Sequence, residues 1–155
     1  MRLYLARHAQ TPSNVVRALD TGYPGAALTE EGHQQAARLA ERLAGEPFAV
    51  VAASPLLRAQ QTAAPLAAAR GLDILTLDGL REVDAGDLEM AASEAASERY
   101  AAMARTWADD GDLDAALPGG ITGHEFLRRF DAAVTTIENT VIENTATEKT
   151  ATEKT

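Results

Sequence analysis

Three short, largely apolar runs, Leu3–Ala6 (LYLA), Phe48–Ala53 (FAVVAA) and Leu72–Leu77 (LDILTL), have the length of strands and are separated by stretches with helical periodicity. Runs that are apolar on both faces suit a sheet covered on two sides, and strands separated by helices pair in parallel through right-handed crossovers. The order therefore predicts an α/β fold: an open, mainly parallel sheet with helices on both faces, a Rossmann-like three-layer arrangement. In such sheets ligands bind beyond the carboxyl ends of the strands.

The intervening segments carry helix punctuation. Thr29 reads as an N-cap followed by Glu30 and Glu31, with an apolar stripe at Ala36, Leu39, Ala40 and Leu43 and a stop at Gly45 and Pro47. Ser54-Pro55 reads as an N-cap with Pro at the first helical position, opening a helix to about Ala69 that Gly71 closes. Residues 90–108 read as an Ala-rich helix with Tyr100, Met103, Ala104 and Trp107 on one face. Gly111, Pro118, Gly119 and Gly120 interrupt the chain, and Thr122-x-x-Glu125 is a capping-box pattern opening a last helix through Phe126, Leu127, Phe130 and Val134. Residues 9–28, with Pro12, Gly22, Pro24 and Gly25, form a loop or short-helix excursion, and residues 79–88 a second loop.

At 155 residues the chain is long enough for one substantial core and too short for two full domains. From Thr136 it reads as four five-residue units, TIENT, VIENT, ATEKT and ATEKT. Their period is too short for a solenoid and their composition too polar for a core. The expected division is a domain over residues 1–135 and a tail over 136–155, which fits disorder, an extension of the preceding helix or an artefact of the reading frame.

Composition excludes several chemistries. Cysteine is absent, which removes disulfides, thiolate nucleophiles and Cys-based zinc sites. Only His8, His33 and His124 are available as imidazole ligands, widely spaced, so no metal site is expected. A net charge of −9 argues against nucleic acid or anionic membrane as partner. No window approaches the roughly 18 apolar residues of a membrane span, and no export signal opens the chain, so a cytoplasmic setting is expected. The charge is uneven: residues 1–70 hold seven Arg against five acids, net +2, and residues 71–155 hold seven Arg and Lys against eighteen acids, net −11. An anion pocket draws its positive charge from the first half.

The reactive residue types cluster where the fold predicts a ligand. Arg7-His8 follows the first run, Ser54 to Thr62 with Arg58 follows the second, and Arg81-Glu82 lies beyond the third. Guanidinium groups clamp phosphoryl oxygens through forked hydrogen bonds and align the group for in-line displacement. A neutral imidazole beside them can attack phosphorus and form a phosphohistidine. A carboxylic acid whose pKa is raised toward neutrality can protonate the leaving alkoxide, and Glu82 is the candidate. Taken singly, each also has a plain reading: Arg7-His8 as surface charge, Arg58 as a helix-surface residue, Glu82 as a solvated loop acid.

In that order these segments resemble the histidine phosphatase superfamily, also called the phosphoglycerate mutase-like family. Residues 5–14 (LARHAQTPSN) are similar to its Arg-His-Gly-x-Thr signature, with Ala9 where Gly is usual. Residues 28–36 (LTEEGHQQA) and 54–63 (SPLLRAQQTA) follow its next two segments, and 80–89 (LREVDAGDLE) follows its Glu-containing block with Leu88 where Trp is usual. Residues 118–130 (PGGITGHEFLRRF) resemble its Pro-Gly-Gly-Glu-Ser segment loosely.

The resemblance implies a phosphoglycerate mutase-like fold with His8 as phospho-acceptor, Arg7 and Arg58 as phosphate clamps, and Glu82 as proton donor and later base for water. It implies Asn14 as a phosphate contact, although Asn14 equally suits the cap of a local turn, and Thr21 and Gly22 as a substrate-loop pair. No cofactor or metal is implied. The implied partner is a small phosphorylated metabolite, with a homodimer possible.

The family also carries a second His-Gly after a later strand, and no His follows His124 in this chain. His124 sits before a helix and His33 on one, so both read as surface residues. The expectation is a C-terminally truncated version of the fold, lacking its last strand–helix unit, with the sheet open beside His8. The leading functional expectation is a phosphatase acting on a small phosphomonoester through a phosphohistidine. A phosphomutase and a catalytically impaired phosphate-binding fragment are the alternatives.

Overall fold

The computed structural model describes residues 2–152, with side chains described through residue 144. In chain order it comprises α1 (Pro12–Val15), α2 (Glu30–Arg42), β1 (Val51–Ala53), α3 (Leu57–Arg70), β2 (Ile74–Thr76), α4 (Glu94–Asp109) and α5 (Gly123–Thr152). Short 3-10 turns at Asp78–Leu80 and Gly86–Leu88 shape the segment between β2 and α4. β1 and β2 pair in parallel, Val51 with Ile74 through Ala53 with Thr76, joined by the α3 crossover. The architecture is α/β, as the alternation of runs and helices predicts.

The first apolar run does not join this sheet. No backbone hydrogen bond links Leu3–Ala6 to another described residue, and the ladder among the described residues has two strands rather than three. An apolar run becomes a strand only when a neighbour presents N–H and C=O groups in register, and here none does. Leu3 is 43% and Leu5 76% exposed. Between this segment and β1 lies a cavity of about 840 Å³, bordered also by Phe126, Phe130, Val134 and Ile137 of α5. The other two runs are trimmed for a related reason: only the residues facing each other across the β1–β2 pair ladder, leaving Phe48 and Leu72 to pack beneath.

Most helix ends follow their sequence signals. Thr29 Oγ1 accepts from Gly32 N at 3.0 Å, Gly71 closes α3 in the left-handed conformation at φ 63°, and Thr122 and Glu125 exchange the hydrogen bonds of a capping box. Two starts differ. α3 begins at Leu57 with Leu56 at the N-cap and no side-chain cap, while the Ser54 carbonyl accepts from Gln60 Nε2 at 2.7 Å. α4 begins at Glu94 rather than residue 90, capped by Ser93, whose Oγ accepts from Ala96 N at 3.2 Å. Met90, at φ 61°, cannot lie in a helix.

Three apolar clusters carry the packing, the smallest being Ala9, Leu28 and Ala36 beneath the site loop. Ala40, Val51, Leu66 and Ala67 join α2 and α3 to β1, with Phe48, Leu72 and Ile74 around them. Ala85, Leu88, Ala96, Met103 and Leu117 join α4 to the segment after β2. Stacked rings of Trp107, Phe126 and Phe130 connect α4 to α5. α5 runs through residue 136 without a break, with Ile137 buried and Thr136 and Thr140 bonding the carbonyls four residues back. The repeat continues this helix as far as Thr152, and residues 153–155 lie outside the described residues.

Candidate active site

The loop after residue 7 is held through its backbone, whereas the run before it is held through side chains, the Tyr4 hydroxyl donating to Glu46 Oε2 and its ring lying 5.3 Å from that of Phe48. Ala9 N donates to Thr62 Oγ1 at 3.0 Å, and Thr62 Oγ1 donates to the Arg58 carbonyl at 2.7 Å. Gln10 N donates to Gln35 Oε1 at 2.9 Å and the Gln10 carbonyl accepts from Thr29 N at 3.0 Å. The His8–Ala9 peptide is thereby tied to the second turn of α3 through Thr62, and the neighbouring Gln10 to α2 and its N-cap.

The half-buried His8 places Nδ1 2.8 Å from the Ala9 carbonyl. A carbonyl only accepts, so Nδ1 carries the proton, and in the neutral ring Nε2 keeps its lone pair. Burial, with the charges of Arg58 and Arg7, holds the imidazole below its ordinary value, against the Ala9 hydrogen bond and the charge of Glu82. The ring is therefore neutral near pH 7 and presents a nucleophilic nitrogen.

Arg58 is 2% exposed, and its nearest counter-charge is Asp20, with Oδ1 3.8 Å from Nη1. Both Nη atoms are buried and have no hydrogen-bond partner among the described residues. Unpartnered buried donors on a cation are costly, and they mark a place that an anion can complete. Asp20 is itself held, its Oδ2 accepting from Ser13 Oγ at 2.7 Å and from Ala26 N at 3.0 Å. The turn above Arg58 requires Gly25: its φ is +71° and a Cβ there would stand 2.4 Å from Arg58 Nη1.

Arg7, His8, Asn14, Thr21, Arg58 and Glu82 border a single cavity of about 120 Å³, with Asp20 and Tyr100 in its wall. Six of the seven expected site residues are thus brought together. Gly22 is not in this wall; its N–H donates to Glu89 Oε1 at 3.0 Å. Thr21 borders the cavity, but its polar groups are engaged elsewhere: its N–H and hydroxyl both donate to the Glu89 carboxylate, and Oγ1 accepts from Ala85 N at 2.9 Å. Asn14 caps α1, its Oδ1 accepting from Thr11 N at 3.0 Å, and it also borders the cavity. Arg7 and Glu82 are exposed. His33 and His124 are exposed and lie outside the cavity wall.

Four residues in or around the site escape sequence reasoning: Asp20, Thr62, Glu89 and Tyr100. Thr62 and Glu89 stand within the quoted motifs, so a signal existed, but their roles rest on partners 53 and 68 residues away. Among the described residues no group of three His, Asp or Glu is placed to hold a metal ion, and no helix is long and apolar enough to cross a membrane.

Residues 3–146 match the histidine phosphatase superfamily (branch 1). The PE-PGRS family protein PE_PGRS11 of Mycobacterium tuberculosis is 48% identical over 84 residues, 54% of this chain and 14% of that protein. The probable phosphoglycerate mutase GpmB of Enterobacter sp. (strain 638) is 35% identical over 134 residues, 86% of this chain and 61% of the mutase. A solved mycobacterial glucosyl-3-phosphoglycerate phosphatase, in complex with VO3, aligns with a TM-score of 0.69 at 29% identity, covering 85% of this chain and 64% of that one. The chain spans less than two thirds of the mutase and of the phosphatase.

Proposed function

From the premise that this chain belongs to the histidine phosphatase superfamily, we propose that it hydrolyses a small phosphomonoester through a phosphohistidine on His8. The observation that carries the reading is the pair of unpartnered Nη atoms on buried Arg58, set in the same cavity wall as a neutral His8. Arg58 and Arg7 take the phosphoryl oxygens, with the Asn14 amide as a third donor, and offset their charge. His8 Nε2 attacks phosphorus as the ester P–O bond breaks, and Glu82 gives its proton to the departing oxygen. The positive charge that develops on the ring is shared by the Nδ1–H bond to the Ala9 carbonyl. Glu82, now a carboxylate, takes a proton from water as the water oxygen attacks phosphorus, the P–N bond breaks, and phosphate leaves.

Water as acceptor is favoured because Arg7 and Glu82 are exposed at the cavity, which leaves solvent a path to the phosphoryl group. A small phosphorylated metabolite as partner and a cytoplasmic setting belong to the same reading. The test is steady-state hydrolysis of p-nitrophenyl phosphate by the full chain and by His8→Ala. The expected result is release of inorganic phosphate, lowered at least about a thousandfold in the variant. Equal rates in the two proteins would reject His8 as nucleophile. With a phosphorylated sugar acid as substrate instead, its isomer in place of free phosphate would mean a mutase, and binding of inorganic phosphate without turnover of either substrate would mean a binder.

A further inference from the structure

Glu82 sits in the segment between β2 and α4, and no hydrogen bond or ion pair holds its carboxylate among the described residues. What neighbouring residues fix is therefore the backbone that carries it. That backbone is held at two successive carbonyls from two different helices. Arg129 Nη2 on α5 donates to the Glu82 carbonyl at 2.6 Å, and Tyr100 Oη on α4 donates to the Val83 carbonyl at 2.8 Å.

Neither contact is incidental packing. The segment and α5 touch closely enough that a Cβ on Gly79 would fall 2.2 Å from the Arg129 carbonyl. From that point Arg129 reaches back over the segment, Nη1 to the Asp78 carbonyl at 3.4 Å, with its guanidinium 5.2 Å above the Phe126 ring. Tyr100 borders the site cavity itself. Burial first, then the charges of Glu82, Asp84 and Glu89, push its phenol well above the ordinary value, so it remains a donor throughout the working range.

We propose that Arg129 and Tyr100 are positioning residues for the proton transfer by Glu82, acting through the Glu82 and Val83 carbonyls rather than on the phosphoryl group. The inference rests on the reading of Glu82 as general acid. It makes the last helix and α4 necessary for expelling poor leaving groups, although neither supplies a phosphate clamp or the nucleophile.

The test compares two substrates with the full chain. 2,4-Dinitrophenyl phosphate has a leaving group that needs no proton, whereas phenyl phosphate needs one. Tyr100→Phe and Arg129→Gln are expected to lower kcat/KM on phenyl phosphate about tenfold to a hundredfold while changing it less than about threefold on the dinitrophenyl ester. Arg129→Lys, which can still reach a carbonyl as a point donor, is expected to recover part of the loss. Glu82→Gln gives the same selective pattern with a larger loss. A loss of equal size on both substrates in Tyr100→Phe and Arg129→Gln, or no loss on either, overturns the proposal. If Glu82→Gln is selective and these two are not, the positioning roles fall and the general acid stands. If Glu82→Gln is not selective, or the unaltered chain turns over neither ester, the underlying reading falls and takes the proposal with it.

Discussion

His8 stands between two unlike regions. From Ala9 onward the chain is tied down residue by residue: Ala9 to Thr62, Gln10 to Gln35 and Thr29, Thr11 to Asn14, Thr21 to Glu89, with Arg58 buried beneath. Before it, Leu3–Ala6 has no ladder partner among the described residues and exposes its apolar side chains toward a cavity of about 840 Å³. The contrast teaches that the loop after the first run takes its geometry from side-chain anchors on α2 and α3, not from the strand-like run that leads into it. A site of this kind can be set in place while the sheet beside it is not closed.

The difference between the regions predicts that the two arginines proposed as phosphate clamps respond unequally. Arg58→Met is expected to lower kcat/KM for an aryl phosphate about a hundred- to a thousandfold, because the cation lies inside the anchored region with both Nη atoms free for the phosphoryl group. The same change also lowers folding stability, by up to about 3 kcal/mol, since it leaves the Asp20 carboxylate 3.8 Å away without its cation. Arg7→Met, on an exposed residue of the unladdered side, is expected to lose about tenfold. Equal losses would erase the contrast.

Stability should divide the same way. Leu66→Ala opens the packed cluster of α2, α3 and β1 and should cost about 2–5 kcal/mol in urea unfolding. Leu5→Ala, at a side chain 76% exposed, should fall within about 0.5 kcal/mol of the unaltered protein. A large cost at Leu5 would mean that the first run is packed after all.

The smallest effect is one of pH. Because His8 titrates below its ordinary value of 6.5, the unfolded chain binds the more protons in the window just below 6.5. The contribution of His8 to stability is therefore complete above that window and is lost as pH falls through it, and His8→Ala flattens this part of the curve. By the same shift, the acidic limb of kcat/KM should have its midpoint below 6.5.

Much of this was legible from local signals. Thr29, Gly71 and the Thr122–Glu125 pair announce helix ends by rules that operate within one turn. The convergence of Arg7, His8, Arg58 and Glu82 follows from placing each after a strand-like run. What was not legible depends on distant partners. Leu3–Ala6 satisfies every local criterion for a strand, but a ladder is a relation between two segments. Glu89 looks like a loop acid until its carboxylate meets Thr21 and Gly22, and Arg129 looks like one of two adjacent helix arginines until it reaches the Glu82 carbonyl 47 residues earlier. Ser54 carries a capping signal that the chain leaves unused, the helix starting at Leu57 with Leu56 at its N-cap.

The central claim is that His8 in the anchored loop becomes phosphorylated during turnover. Mixing the full chain with excess aryl phosphate, quenching in alkali and measuring the intact mass tests it directly. The account predicts one added phosphoryl group, located on His8, stable in base, lost in acid and missing from His8→Ala. Turnover without any such adduct under conditions where breakdown is slowed, or an adduct that persists in His8→Ala, would contradict it.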